Sequence, residues 1–421
     1  MNQIIKRQYG TFDILPQDVL LWQYIENKMR FVAEKYGFEE IRFPTFEATG
    51  LFCRGVGDTT DIVQKEMYTF DDREKRSLSL RPEGTSCVVR SIIENGLVYG
   101  AMPLKLYYIG NFFRHEKPQK GRSREFFQFG TELFGSDSPA ADATVILLAQ
   151  TLFNTLKIKN ISLHINSIGC DKCRNDYNEA LRSFFESCAD KLCPTCRERL
   201  KTNPRRILDC KDECCHELCA NAPRTVDYLC DECSTHFNTL QKLLTDAGVD
   251  FTVDVKIVRG LDYYTRTVFE FIDTSIGAQS TVCGGGRYNK LVSMLGGPET
   301  PAVGFGMGIT RLIESMRQSE VVPDLTVRPD IYIAPLGSDA SLFAATLTEC
   351  LRSKGLYAET DICSRSVKAQ MKYADKIKAH FTAVIGDNEL SSGKINIKNM
   401  DSGECVECAP EAASIITIIA G

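Results

Sequence analysis

The stretch LKLYYIGNFFRHEKPQKGRSREFFQFGTELFG constrains this chain more than any other. Two aromatic-rich runs, each long enough for a strand, flank KPQKGRS, a polar connection containing a glycine. That pattern predicts an antiparallel pair with a long loop at one end. Further strands are expected at VDVKIVRG, TVFEFID, STVCGGG and AVGFGMG, and SLSLRPEGT reads as a strand running into a loop. Helical spacing of apolar residues runs from Pro16 to Tyr36, with Gly37 where a left-handed C-cap belongs and the strand FEEIRFP after it. ITRLIESMRQ reads as another helix. Strand-rich blocks around helices, without regular βαβ alternation, point to an α+β fold with a central antiparallel sheet.

A chain of 421 residues is too long for one core. VVPDLTVRPD, with two prolines and no periodicity, marks the break, so the expected units are 1–322 and a compact α/β unit over 329–421. The longest apolar runs fall short of the roughly 20 residues of a membrane span, and the N-terminus has no apolar signal region. A cytoplasmic protein without a membrane partner is expected. The net charge of −5 argues against a protein that coats nucleic acid through bulk charge, while leaving room for a local basic patch.

Several segments carry chemistry. Arg114 ends the first hairpin strand, where its guanidinium fork can hold a phosphate, and Lys117, Lys120, Arg122 and Arg124 make the connection basic. Gly304, Gly306 and Gly308 alternate, which bares one face of a strand, and Arg311 falls in the first turn of the next helix, where an anion is favoured. A dinucleotide fingerprint is excluded, because Ile309 stands where its third glycine belongs. CGGGRY, ending at Tyr288, is another place where backbone can approach a ligand. VRGLDYYTRTVFEF groups Arg259 with Tyr263 and Tyr264, and RPEGT sets Glu83 beside Thr85, a carboxylate and a hydroxyl suited to an ammonium group, or else a turn with a capped end.

Taken together and in this order, RPEGT, FRHEKPQKGRSREFFQFG, VRGLDYYTRTVFEF, CGGGRYNKLV and GFGMGITRL resemble the class II aminoacyl-tRNA synthetase core, and specifically the histidyl-tRNA synthetase family. GFEEIRFPTFEATGLF resembles that family's dimer-forming first motif, and the last unit its anticodon-binding domain. The resemblance implies a histidine–tRNA ligase that is a homodimer with ATP, Mg²⁺, L-histidine and tRNA(His) as partners. It implies that Arg114 and Arg311 hold the ATP phosphates, in a nucleotide site shared with Glu116, Gly306 and Gly308. Glu83, Thr85 and Gln128 would orient the amino acid's ammonium and carboxylate, while Glu132 and Tyr264, with Tyr263 and Tyr288 nearby, would line the imidazole pocket. Arg259 would touch histidine and the α-phosphate, completing a catalytic set with Arg114 and Gln128. Gln119 and Arg122 in the loop, and Lys368 and Lys372 with Lys376 on one helix face, would contact tRNA. The rival implied by the same fold is a histidine-sensing regulatory subunit of ATP phosphoribosyltransferase. Such proteins usually lack the anticodon-binding domain and depart from the arginines that this chain carries.

Eleven of the 18 cysteines lie between Cys170 and Cys233, inside an insertion at about 170–240 expected to be mostly helical. Three C-x-x-C pairs stand at Cys170/Cys173, Cys193/Cys196 and Cys230/Cys233. A helix through RNDYNEALRSFFESCADK would hold the first two pairs roughly 25 Å apart, so they do not share a metal. Cys193/Cys196 would instead join Cys210, Cys214 or the Cys230/Cys233 pair. Buried reduced thiols are the favoured reading, with structural zinc the second, and no metal ligand is assigned.

Overall fold

The two aromatic runs pair over their whole length. Leu104–Phe113 lies antiparallel to Glu125–Phe134, from Leu104 opposite Phe134 to Phe113 opposite Glu125. A computed structural model describes residues 4–57, 60–119, 121–208, 210, 212–257, 261–277 and 280–420. Among these, the hairpin belongs to an eight-stranded sheet. Across the sheet the strands are Glu39–Glu40, Leu104–Phe113, Glu125–Phe134, Ala302–Gly308, Thr281–Arg287, Thr265–Ile272, Ser162–Ser167 and Phe251–Val253. Pairing is antiparallel except at the two edges, where Glu39–Glu40 and Phe251–Val253 run parallel to their neighbours.

Helices cover the sheet because their sequences carry apolar stripes. Thr85–Glu94 puts Val88, Val89 and Ile92 into a cluster with Tyr108, Phe112, Tyr263, Tyr264 and Tyr288. Full burial of each such aliphatic side chain contributes roughly 1.5–3 kcal/mol. Pro139–Thr155 buries Val145, Ile146, Leu148, Leu152 and Phe153. Pro16–Lys35 begins on proline and is followed by Gly37 at φ 75°, the left-handed stop that its sequence announces.

Two expected strands are shorter than expected. FEEIRFP contributes only Glu39–Glu40, because the carbonyls of Phe43 and Pro44 are taken by the Arg81 guanidinium at 2.8 and 3.2 Å rather than by a neighbouring strand. VDVKIVRG leaves the sheet after Val253, where the Asp254 carboxylate accepts the Lys256 N–H at 3.0 Å and turns the chain. Ser77–Leu80 lies outside the main sheet, in a small one with Phe46–Ala48 and Thr69–Asp71.

The insertion is helical, with Asp171–Glu186, Pro194–Thr202, Glu213–Cys219 and Asp231–Asp246 as its α-helices. Its thiols group differently from the sequence expectation. Cys230/Cys233 joins Cys170/Cys173, whereas Cys193/Cys196 meets Cys210 and Cys215. Cys214 is exposed and lies outside the group: its sulfur touches Cys215 Sγ at 3.9 Å but turns to the Asp212 carboxylate at 3.3 Å.

The chain divides into two compact units, Met1–Pro323 and Asp324–Gly421. The second has strands ordered Ala358–Thr360, Ile331–Pro335, Phe381–Ile385, Ile395–Asn399 and Cys405–Cys408, the first three parallel and the rest antiparallel. Its core gathers Ile331, Ile333, Leu347, Leu351, Ile385, Ile397 and Ile415. No helix among the described residues is long and apolar enough to cross a membrane.

Candidate active site

The register of four central strands paves one sheet face with glycine. Gly284 and Gly286 lie opposite Gly306 and Gly304; Gly304, Gly306 and Gly308 lie opposite Glu132, Gly130 and Gln128; and Gly130 and Gln128 lie opposite Tyr108 and Gly110. Directly paired residues of antiparallel strands share a face. The space left by the missing side chains is used by long polar neighbours. A Cβ on Gly304 would stand 2.0 Å from Glu132 Oε2, and one on Gly130 would stand 2.2 Å from the Tyr108 ring.

Glu132 is the centre of the closed end of this face. It is 1% exposed and accepts hydrogen bonds from Thr85 Oγ1 at 2.8 Å and from the Tyr288 hydroxyl. Burial pushes its carboxyl up to about 8, against both donors, which favour the charged form. Tyr263 packs on Tyr264 and Tyr288 with ring centroids 4.7 and 5.6 Å apart, and burial holds the phenols of Tyr263 and Tyr288 well above their ordinary range. Glu83 does what the capping alternative required: its oxygens accept the Thr85 and Ser86 N–H groups, each at 2.8 Å, at the start of the helix Thr85–Glu94.

The other end of the face opens into a cavity of about 390 Å³ bordered by Arg114, Gln128, Gly306, Gly308, Thr310 and Arg311. Arg114 donates from Nε to the Pro82 carbonyl at 2.9 Å and lies over the Phe126 ring. Arg311 donates to the carbonyls of Thr281 and Gly121 at 2.6 and 3.2 Å. Glu116 lies between Arg122, at 3.0 Å, and Arg114, at 3.8 Å. Burial, then the charge of Arg122, lowers the Arg311 pKa, and Arg114 adds to the effect. Three guanidinium groups held at one cavity are relieved by a polyanion, so phosphate groups suit this end.

A histidyl-tRNA synthetase model matches residues 10–312, and an anticodon-binding-domain model matches residues 330–414. This chain belongs to the histidyl-tRNA synthetase family. A histidine–tRNA ligase of Caldanaerobacter subterraneus subsp. tengcongensis is 52% identical over 404 residues, which cover 96% of this chain and 97% of that one. One of Clostridium perfringens is 49% identical over 416 residues, 99% of both chains. The crystal structure of the apo S. aureus histidyl-tRNA synthetase matches with TM-score 0.83 at 38% identity over 99% of each chain. A structure described as an ATP phosphoribosyltransferase regulatory subunit/histidyl-tRNA synthetase from Bacillus halodurans matches with TM-score 0.64 at 22% identity, a likeness of fold.

Within this synthetase fold, Glu83, Thr85, Glu132, Tyr263, Tyr264 and Tyr288 come together around the buried end of the face, and Arg114, Glu116, Arg122, Gln128 and Arg311 gather at the cavity. Arg259 lies outside the described residues, as does Lys120. Gln119 is exposed at the hairpin tip, in a bridge with Arg122. Lys368, Lys372 and Lys376 are exposed on the helix Val367–Lys376 of the second unit, at fourth-residue spacing.

Sequence reasoning missed two positioning arginines. Arg81, 7% exposed, ties RPEGT to the hairpin through the Asn111 carbonyl at 2.7 Å and to the segment after Glu39–Glu40 through the Phe43 and Pro44 carbonyls. Arg287, next to Tyr288 and fully buried, meets the Asp142 carboxylate and donates to the Ser136 and Ser138 carbonyls at 2.8 and 3.1 Å. Their positions inside RPEGT and CGGGRY were the only signal, since their partners come from distant parts of the chain.

Proposed function

We propose that the glycine-paved face is where this chain, a histidine–tRNA ligase, condenses L-histidine with ATP. Glu132 in the closed pocket accepts an imidazole N–H, with Tyr264 and the neighbouring phenols completing the surround. Leaving a buried ring nitrogen unpaired would cost about 1–3 kcal/mol, which is the basis for rejecting apolar amino acids. Glu83, Thr85 and Gln128 orient the ammonium and carboxylate. Arg114 and Arg311 hold the phosphates over Gly306 and Gly308, beside Glu116.

The histidine carboxylate attacks the α-phosphorus: a new P–O bond forms, the bond to the β-phosphate oxygen breaks, and pyrophosphate leaves. Arg259 supplies a cation for the negative charge that builds on the phosphoryl oxygens. A ribose hydroxyl of the terminal adenosine of tRNA(His) then attacks the histidyl carbonyl and AMP departs. Mg²⁺ would share the phosphate charge; Glu270, which borders the cavity, offers carboxylate oxygens of the hard type that this ion takes. Gln119 and Arg122 in the loop contact the acceptor end, and Lys368 and Lys372 contact RNA phosphates. The catalytic unit is 1–322 and the anticodon-binding unit 329–421. The chain works as a homodimer in the cytoplasm, with exposed Phe46 and Phe70 of the small sheet at or near the subunit interface.

The observation that carries this reading is the convergence of a buried carboxylate pocket and an arginine-lined cavity on one bare sheet face. Its test is amino-acid-dependent exchange of pyrophosphate into ATP. Exchange with histidine alone, lost in Arg259→Ala and Arg114→Ala, is expected. Histidine binding without exchange would replace it with the sensing subunit.

A further inference from the structure

Eight of the 18 cysteines form two groups that the aminoacylation chemistry does not use: Cys170, Cys173, Cys230 and Cys233, and Cys193, Cys196, Cys210 and Cys215. Within each group all four sulfurs lie within 4.8 Å of one another. We propose that each group binds one zinc ion as a tetrathiolate, so that the insertion carries two structural zinc sites.

Geometry selects a single ion. Four sulfurs at about 2.3 Å from zinc in a tetrahedron are roughly 3.8 Å from each other. Cys170 Sγ lies 3.6 Å from Cys173 Sγ and 3.9 Å from Cys230 Sγ, and Cys193 Sγ lies 3.8 Å from Cys210 Sγ. A disulfide would bring a pair to about 2.05 Å. Each group has two buried and two half-buried thiols, which encloses an ion while leaving an entry path. Four soft thiolates in this arrangement select zinc over the hard divalent cations.

The surroundings fit the charge. A tetrathiolate zinc carries two net negative charges, and backbone donors offset them: Cys230 N–H reaches Cys173 Sγ at 3.1 Å, and Cys193 N–H reaches Cys215 Sγ at 3.3 Å. Cys170 and Cys230 are also the N-caps of the helices Asp171–Glu186 and Asp231–Asp246, whose positive dipole ends face the first group. The insertion needs such staples, because its own cluster of buried residues is small and counts Cys196 and Cys215 among its eight members.

The first site also bears on the catalytic sheet. Gly169, which precedes Cys170, accepts the Arg266 N–H at 2.9 Å and the Thr265 hydroxyl at 3.1 Å, and Arg174 donates to the Tyr264 carbonyl. The first zinc therefore holds the segment that fixes Tyr264, while the second holds the insertion together.

The test is metal analysis of the full chain, purified without added metal and dialysed against EDTA. Two zinc ions per chain are expected, falling to one in Cys173→Ser and to one in Cys196→Ser. Should either variant fail to fold, the wild-type chain produced with Co²⁺ still decides: thiolate-to-cobalt charge-transfer absorption for two tetrahedral ions per chain is expected. Metal-free wild-type chain with all 18 thiols titrating on denaturation would overturn the proposal, as would disulfides within the groups or iron in place of zinc.

Discussion

Glu132 carries the sharpest expectation at the scale of one residue. Its folded pKa is raised to about 8 from 4.5, so between those values the unfolded chain ionises while the buried carboxyl keeps its proton. The sign follows: this group's contribution to stability is largest below about pH 4.5 and is lost as pH rises through about 8. Glu132→Gln should flatten that slope in urea unfolding of the ligand-free chain between about pH 6 and 8. In the proposed binding mode histidine takes this carboxylate as its acceptor, so it should expel the proton on binding near neutral pH. Calorimetry in two buffers of different ionisation enthalpy reads this directly, and a binding heat that ignores the buffer would refute it. Gly304→Ala tests the bare face. Its Cβ would meet Glu132 Oε2 at 2.0 Å and the Thr131 carbonyl at 2.3 Å, so a loss of about 1–3 kcal/mol in stability and of histidine binding is expected. A normal melting temperature together with normal histidine affinity would rule out the crowding.

Between elements, the buried Arg287–Asp142 pair joins the strand Thr281–Arg287 to the helix Pro139–Thr155 and thereby sets the neighbouring Tyr288 against Glu132. Burial alone would raise the Asp142 pKa, but the His236 imidazole, its Nε2 3.3 Å away, and the charge of Arg287 outweigh it and hold it below the ordinary value. Its contribution is therefore present above the unfolded value of 3.8 and lost as pH falls through the lower folded one. Arg287→Met leaves the Asp142 charge without its main partner and should cost roughly 3–5 kcal/mol in chemical denaturation. The double variant Arg287→Met/Asp142→Leu should recover most of it, and additive losses would show the pair is not coupled. The hairpin loop makes a separable prediction. Gln119→Ala should lower tRNA charging several-fold, about 1 kcal/mol, and leave histidine-dependent exchange unchanged. Equal loss in both assays would place Gln119 in the activation chemistry instead.

For the whole molecule, the two units have separate cores, one around Val88, Ile92 and Tyr108 and the other around Ile331, Ile333 and Ile415. A fragment of residues 1–323 should therefore fold, retain pyrophosphate exchange, and lose most tRNA charging; a fragment that fails to exchange would show that activation depends on the second unit. The sequence alone was enough for the α+β class, the hairpin, the alternating glycines, the helix stop at Gly37 and the family resemblance, because periodicity, turn chemistry and ordered motifs are local properties of the chain. It was too weak for the exposed edge strand Cys405–Cys408, which has little apolar signal, and it overextended FEEIRFP because it could not show that Arg81, nearly forty residues later, would take the carbonyls of Phe43 and Pro44. The same limit governed the site and the thiols. Which long side chain fills the gap above each glycine, which buried acid meets Arg287, and which C-x-x-C pair meets which thiols were decided only by tertiary structure, since each depends on strand register or helix packing between segments far apart in sequence.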